Sequence, residues 1–205
     1  QLLIIDNNDK NFLFYPVDKK RYLPEYFIPD DLASLDSNGF LVNKKGMQLR
    51  EPAMLALKGL RDTAKDNNLK LLVSSAYRSY DYQKNLYNYY IGIYGKEKTD
   101  TFSAPPGSSQ HQLGTVADFG SISLEFKDTP EGKWITENAW KFGFSLSFPE
   151  GFEAETGYDY EPWHFRYITR TGTECEKLFF NGLQYVFLDY FNQYKDFFKQ
   201  KLVLN

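Results

Sequence analysis

The sequence predicts one mixed domain of helices and short strands, and three observations support this prediction. A chain of 205 residues suits a single domain with at most some decorations. Its 42% hydrophobic and 18% aromatic residues are enough for a sizeable core. The apolar pattern alternates between helical and strand-like periods, with no repeat, linker or low-complexity segment. We therefore treat residues 1–205 as one domain.

The predicted elements follow this pattern in chain order. Residues 1–45 carry the Pro and Asp clusters of extended segments and turns. Helices are predicted at 48–67, 79–94 and 129–142, with an aromatic helical tail at 173–198. Strands are predicted at 69–75, 144–148 and 163–168, and a loop at 99–109.

Several residues justify these boundaries. The second helix starts at Ser79 or Asp81 and ends near Gly95, and its many Tyr residues are interpreted as packing residues. Thr129 suits the N-cap of the third helix, and Gly143 suits its end. The apolar stripe of the first helix consists of Met54, Leu55, Leu57 and Leu60.

Composition excludes some classes of function. The formal charge of -3, with both signs present, argues against nucleic acid as the main partner. No apolar run is long enough to span a membrane. The single cysteine, Cys175, excludes an internal disulfide and is expected to be buried and inert. The first residues carry neither an initiator Met nor a basic region, which we interpret as the start of a mature or truncated chain, so a missing signal peptide is not informative about location.

Both histidines lie in short motifs that also contain carboxylates. His111 lies seven residues before Asp118, and His164 follows Glu161 by three. Two His and one Asp can hold a zinc ion with its fourth position open, and a nearby Glu can act as the base of metal-assisted hydrolysis. Each motif alone is more often structural, as a hydrogen-bonded His/Asp couple or a solvated Glu. Together they supply three ligands and a base.

The spacing of the first motif predicts how its two ligands meet. An odd separation would send His111 and Asp118 to opposite faces of one strand. Gly114 and the residues that follow it disfavour a helix between them. We therefore expect a turn at Gly114 that places the two side chains on adjoining strands, facing one point.

The second motif predicts a strand that starts at Trp163, because Pro162 cannot donate to a sheet. His164 and Arg166 then share one face of the strand. Glu161 precedes the strand and is free to turn its carboxylate toward a metal. The opposite, core-seeking face consists of Trp163, Phe165 and Tyr167.

A third segment, 74–83, lies where a buried strand gives way to a helix, a usual position for residues that line a cleft. Its Arg78 can donate paired hydrogen bonds to a carboxylate or a polarised carbonyl. From the spacing alone, a surface Arg in a turn is an equally good interpretation.

These three segments resemble the zinc D-Ala-D-Ala carboxypeptidase family, which includes the vancomycin-resistance D,D-carboxypeptidases and the L,D-carboxypeptidases of the cell wall. The matching stretches are SAYRSYDYQ at 75–83, SQHQLGTVAD at 109–118 and TGYDYEPWHFRY at 156–167. The similarity spans residues 40–170 and leaves the aromatic tail at 173–205 unexplained. It implies a single α+β domain of the hedgehog/D-Ala-D-Ala-peptidase-like type, with a small, mostly antiparallel sheet packed against helices.

The resemblance also implies a role for each motif residue. The implied Zn²⁺ ligands are His111, Asp118 and His164. Glu161 would be the general base, and Arg78 would stabilise the oxyanion or hold the substrate carbonyl. The implied substrate-binding residues are Ser109, Gln83 and Tyr77. The implied protein is an extracytoplasmic monomer that removes the terminal D-Ala from peptidoglycan stem pentapeptides.

The chain departs from the family pattern at two places. The stretch 147–149 reads Ser-Phe-Pro where many relatives have Arg-Tyr-Pro, so the charge and shape of the substrate rim are expected to differ. Gln110 stands where a Glu often precedes the first zinc His.

Three other functions stay open on the sequence alone. An L,D-carboxypeptidase would act on the tetrapeptide stem, and its relatives share the signature at 75–83. A wall-binding module would keep the zinc without turnover, although binding alone would not need Glu161. A cytoplasmic metallopeptidase would cleave ordinary all-L peptides.

Overall fold

The computed structural model describes residues 13–202, and expectations for residues 1–12 and 203–205 lie outside this range. The strands are β1 (Leu32–Ser34), β2 (Leu41–Val42), β3 (Gln48–Arg50), β4 (Leu72–Ser75), β5 (Val116–Phe119), β6 (Phe144–Leu146) and β7 (His164–Tyr167). The α-helices are α1 (Glu51–Asp66), α2 (Tyr80–Tyr94), α3 (Lys96–Phe102), α4 (Pro130–Asn138), α5 (Glu153–Thr156), α6 (Arg170–Phe179) and α7 (Gln184–Leu202). Short 3-10 turns connect several of them.

The main sheet has five strands in the order β2-β4-β5-β7-β6. Only β2 and β4 run parallel, and every other neighbouring pair in this sheet is antiparallel. A separate two-stranded sheet pairs β1 with β3. The predicted α+β class with a small, mostly antiparallel sheet is therefore confirmed.

One face of the main sheet is buried in the core, and the other face carries polar groups. Ala117 and Phe119 of β5 and Phe165 of β7 join the core cluster, together with buried residues of α1 and α4. Because side chains alternate along a strand, Asp118 and His164 project to the opposite face. The alternation predicted for the 163–168 segment is confirmed, although the regular strand starts at His164.

The first predicted helix begins three residues late. Residues Gln48–Arg50 form β3 instead, and α1 starts at Glu51 with Pro52 in its first turn, where a missing N–H costs nothing. Leu55, predicted in the apolar stripe, is 57% exposed, so that assignment was wrong. The buried face of α1 consists of Ala53, Met54, Leu57, Leu60 and Ala64.

The second predicted helix matches α2, but the loop predicted at 99–109 was wrong in its first part. The Ser79 side chain accepts a hydrogen bond from the Tyr82 N–H and so caps α2. Gly95 has a φ of 76°, which ends α2, and α3 starts directly after it. The Thr99 hydroxyl donates to the Gly95 carbonyl at 2.8 Å and supports this second start.

The remaining predicted elements are found with shifted ends. The strands predicted at 69–75 and 144–148 shorten to β4 and β6. The third predicted helix is α4 followed by a 3-10 turn, capped by Thr129 and ended by Gly143 as expected. The single helical tail predicted at 173–198 was wrong, because Asn181 and Gly182 adopt positive φ angles and separate α6 from α7.

The C-terminal helices enclose a second, smaller core. This cluster of buried side chains consists of Phe14, Ile168, Cys175, Phe187, Leu188 and Phe191. The expected burial of Cys175 is confirmed. Among residues 13–202, no helix is both long and apolar enough to cross a membrane.

Glu176 of α6 is a buried carboxyl that the structure leaves half satisfied. The Ser145 hydroxyl of β6 donates to its Oε1 at 2.8 Å, and Oε2 has no hydrogen-bond partner among the described residues. Burial raises the pKa of Glu176 to about 7, against the smaller opposing effect of the Ser145 hydrogen bond. Between the ordinary Glu pKa and 7 the folded state thus holds a proton that the unfolded state has lost, so stability falls as pH rises through this window.

We expect Glu176→Gln to cancel this loss, because the amide does not ionise. The free energy of unfolding of Glu176→Gln minus that of the wild type should therefore be larger at pH 8 than at pH 5, by about 2–3 kcal/mol. Urea unfolding at the two pH values measures the difference. The control is Glu174→Gln on the exposed side of the same helix, for which the change should be much smaller. An equal change in both variants would contradict the prediction.

Candidate active site

Three predicted ligands meet on the polar face of the main sheet. Asp118 of β5 lies directly opposite His164 of β7 in the antiparallel register, so their side chains project from the same face as neighbours. His111 reaches the same point from a 3-10 turn, Gln110–Leu113, that precedes β5. All three side chains are buried, and one ligand atom from each lies within 4.8 Å of the others.

The expected turn at Gly114 is present, but His111 lies on the 3-10 turn and not on an adjoining strand as predicted. Gly114 ends this turn with a φ of 70°. A Cβ at Gly114 would lie 2.9 Å from Arg50 Cγ and 3.0 Å from Leu32 Cδ2, so this position accommodates only glycine. The Arg50 N–H also donates to the Gly114 carbonyl at 2.8 Å, which holds the turn against β3.

His111 is held in the form that binds a metal through Nε2. Its Nδ1 lies 2.6 Å from the Ala76 carbonyl oxygen, so Nδ1 must carry the proton that it donates. Burial and the charge of Arg78 lower the pKa of His111 to about 4, against the opposing effect of Asp118. The ring is therefore neutral at pH 7, and its Nε2 lone pair faces Asp118 Oδ2 at 3.3 Å.

His164 presents its other nitrogen, Nδ1, to the same point. Nδ1 lies 3.2 Å from Asp118 Oδ1 and 3.2 Å from Glu161 Oε2. Burial would lower the pKa of His164, but the two carboxylates outweigh it and raise the value to about 9. The two imidazole rings stand nearly perpendicular, with centroids 5.0 Å apart.

These residues fit a zinc ion. His111 Nε2 and Asp118 Oδ1 are buried and make no hydrogen bond within residues 13–202, as expected for atoms that share a cation. The pKa of Asp118 lies below its usual range, because the two histidines outweigh the effect of burial. Two imidazole nitrogens and one carboxylate oxygen are the donor set of a zinc site with one open position.

Glu161 lies in the turn that leads into β7. Its N–H donates to the Phe148 carbonyl, and its own carbonyl accepts from the His164 N–H, each at 3.1 Å. The side chain is 13% exposed and reaches the cleft beside the three ligands. Burial raises the pKa of Glu161, with Asp118 acting in the same direction and His164 opposing both. A carboxylate with a raised pKa is suited to accept a proton and return it.

Arg78 lines the same cleft and is held in place by Gln83. Arg78 Nη1 donates to Gln83 Oε1 at 3.0 Å, and Gln83 Nε2 donates to the Ala104 carbonyl at 2.7 Å. Both ends of the Gln83 amide are therefore engaged within the protein, which makes Gln83 a support for Arg78. Arg78 Nε is buried without a hydrogen-bond partner in the described part of the chain.

Of the other two residues predicted to bind substrate, one lines the cleft and one does not. Ser109 is buried, lines the cleft, and caps the turn that carries His111 by accepting from the His111 N–H at 3.3 Å. Tyr77 does not line the cleft. Trp163, predicted as a packing residue, packs against the core and also lines the cleft.

The sequence reasoning missed an aromatic side of this cleft. Tyr82, Tyr90, Tyr94 and Phe102, here called the aromatic wall, all line the cleft, whose volume is about 600 Å³. The sequence pattern predicts the three Tyr residues as packing residues. A usable signal was present, since Tyr82, Leu86, Tyr90 and Tyr94 repeat every four residues and so share one face of α2.

The two departures from the family pattern are in contact with each other. The Ser147 hydroxyl donates to Gln110 Oε1 at 2.7 Å, and the same oxygen lies 3.2 Å from His164 Nε2. The nitrogen of His164 that faces away from the ligands thus has a neutral amide as its neighbour. A partner at this nitrogen orients the ring of a ligating histidine.

Comparisons with known proteins give one family by sequence and by fold. Residues 46–170 match the family VanY, described as D-alanyl-D-alanine carboxypeptidase. The chain is 37% identical over 168 residues to YodJ, a putative carboxypeptidase of Bacillus subtilis (strain 168). This alignment covers 78% of this chain and 61% of YodJ. The chain spans between 46% and 61% of the length of the curated relatives that it matches.

Two solved structures share the fold. The LdcB LD-carboxypeptidase superposes with a TM-score of 0.77 at 31% identity, covering 84% of this chain and 84% of that one. A vancomycin-resistance D,D-pentapeptidase VanY in complex with Zn(II) superposes with a TM-score of 0.71 at 25% identity, covering 86% of this chain and 99% of that one.

We expect His111→Ala to lose zinc, because it removes one of three protein ligands. Its zinc affinity should fall by more than about 100-fold, which competition with a chelator measures. Glu161→Gln is the matched control in the same cleft and should retain one zinc per chain. Wild-type zinc affinity in His111→Ala would show that the metal lies elsewhere.

Proposed function

Because the chain belongs to the VanY family of D-alanyl-D-alanine carboxypeptidases, we propose that it is a zinc-dependent D,D-carboxypeptidase that removes the terminal D-Ala from peptidoglycan stem pentapeptides. The observation that carries this proposal is the Glu161 carboxylate, 3.2 Å from His164 Nδ1 and beside the His111, Asp118 and His164 triad. Metal binding alone needs no second carboxylate with a raised pKa. Stem peptides lie outside the cytoplasmic membrane, so the proposed location is extracytoplasmic.

The proposed metal is zinc, held by His111 Nε2, an Asp118 carboxylate oxygen and His164 Nδ1. The donor set fits this ion, and the similar VanY structure contains Zn(II). When bound, zinc supplies Lewis acidity that polarises a carbonyl and makes water easier to deprotonate near neutral pH.

In the proposed reaction Glu161 moves the protons. Its carboxylate takes a proton from water as the water oxygen attacks the carbonyl carbon of the scissile amide. The protonated Glu161 then delivers that proton to the amide nitrogen as the C–N bond breaks, and free D-Ala leaves as the amine. The raised pKa of Glu161 favours the first step, since it makes the carboxylate a stronger base toward the water proton.

Arg78 supplies fixed positive charge on the same cleft. Its guanidinium, anchored by Gln83, lines the cleft and can pair with the developing oxyanion or the terminal carboxylate of the substrate. Because Gln83 and Ala104 already hold Arg78 in place, little reorganisation is needed at the moment of reaction.

A second candidate function is an L,D-carboxypeptidase, which would remove D-Ala from the tetrapeptide stem. The observation that favours it is the similarity to LdcB, at 31% identity and a TM-score of 0.77. The residues proposed for catalysis would act in the same way on either substrate.

We expect the zinc-loaded protein to release one alanine from a stem pentapeptide and none from the tetrapeptide. Mass spectrometry of the two defined muropeptides after incubation measures this. Release from the tetrapeptide instead would favour the L,D activity. If zinc is bound and neither peptide is shortened, the proposed function is wrong.

Glu161→Gln should lower kcat by about 10²–10⁴ while zinc stays bound, because the amide cannot accept the proton. Steady-state kinetics on the preferred muropeptide, together with a zinc assay on the same sample, check this. Turnover close to the wild-type value would exclude Glu161 as the base.

A further inference from the structure

The cleft extends well beyond the proposed metal ligands His111, Asp118 and His164, here called the ligand cluster. The same cavity that is lined by His111, Asp118 and His164 continues along α2 to the aromatic wall. From Tyr82 to Tyr94 the helix rises about 18 Å, at 1.5 Å per residue. A terminal D-Ala-D-Ala pair is much shorter than this. Most of the wall therefore faces parts of the substrate that lie upstream of the scissile bond.

The wall is preformed and open to solvent. Phe102 packs edge-on against Tyr90 and Tyr94, with ring centroids 5.2 and 5.7 Å apart. These contacts hold the rings of the outer part of the wall together, yet Tyr94 is still 56% exposed. Rigid aromatic side chains offer a large contact area and lose little conformational entropy on binding. The wall is thus built as a contact surface that residues 13–202 leave uncovered.

The chemistry of the wall matches a sugar ring better than a stem peptide. The residues of a peptidoglycan stem are small or polar, and none has a large apolar side chain that would cover several aromatic rings. A pyranose ring has an apolar face of C–H groups, which lies well on an aromatic face, and a rim of hydroxyls that tyrosine hydroxyls can bond.

The length of the wall matches the same substrate. Four extended residues upstream of the scissile bond span about 14 Å, and the lactyl group of muramic acid follows them. The sugar of a bound muropeptide would then lie near the far end of α2, where Tyr90, Tyr94 and Phe102 cluster.

We propose that the aromatic wall binds the amino sugar at the head of the stem, so that the preferred ligands are stems still attached to glycan. This inference rests on the proposed function, because it assumes that the stem lies with its carboxyl end at the ligand cluster.

Binding to zinc-loaded Glu161→Gln tests this without turnover. We expect muramyl-pentapeptide to bind about tenfold more tightly than the free pentapeptide, as measured by isothermal titration calorimetry. Adding Tyr94→Ala should remove this difference, whereas Tyr94→Phe, which retains the ring, should keep it. The matched control is Ile93→Ala, which truncates the adjacent residue, 52% exposed and outside the cleft, and should also keep the difference.

Equal affinities for the two ligands, or a preference that survives Tyr94→Ala, would overturn the proposal. A stem that carries a peptide branch and binds more tightly than the muramyl ligand would assign the wall to peptide instead. If the sugar preference is found but the wild type cleaves neither peptide, only the proposed function fails. If the wild type cleaves the free pentapeptide as well as the muramyl form and Glu161→Gln binds both equally, only the inference about the wall fails.

Discussion

The direct pairing of Asp118 with His164 across β5 and β7 is the constraint on which the rest of the site depends. One residue of slip in this register would turn one of the two side chains into the core. The register is secured from the other face, where Ala117 lies opposite Phe165 and both are buried. Core packing on one face of the sheet therefore sets the ligand geometry on the other.

Burial makes this arrangement electrostatically demanding. Asp118 and Glu161 lie together in a buried site, and a buried carboxylate without compensation is costly. Arg78 and the protonated imidazole of His164 compensate part of this charge, and a divalent cation would compensate more. The same burial holds His111 neutral while His164, next to both carboxylates, retains a high proton affinity. Binding of a metal at Nδ1 would therefore displace a proton from His164.

Hydrogen bonds connect the residues around His164 to distant parts of the chain. The Ser147 hydroxyl, which contacts Gln110, also lies 3.2 Å from Gln184 Oε1 at the start of α7, and Gln184 donates to the Ser145 carbonyl. Packing of Phe187 in the smaller core positions this end of α7. The aromatic C-terminal segment thus has a structural role next to His164. One long side of the cleft comes from α2. The aromatic wall and the His111, Asp118 and His164 cluster therefore belong to separate segments of the chain.

The sequence by itself determined the chemical groups of the site and the principal elements that carry them. Two histidines with nearby carboxylates limited the donor set, and caps such as Thr129 located helix ends, because these signals are local. Tertiary structure decided the rest. It placed His111 on a 3-10 turn, engaged both ends of Gln83 within the protein, and broke the tail at Asn181. It also turned Tyr90 toward the cleft. Periodicity shows which residues share a face of an element, but the neighbour that packs against that face is set by contacts between segments far apart in the chain.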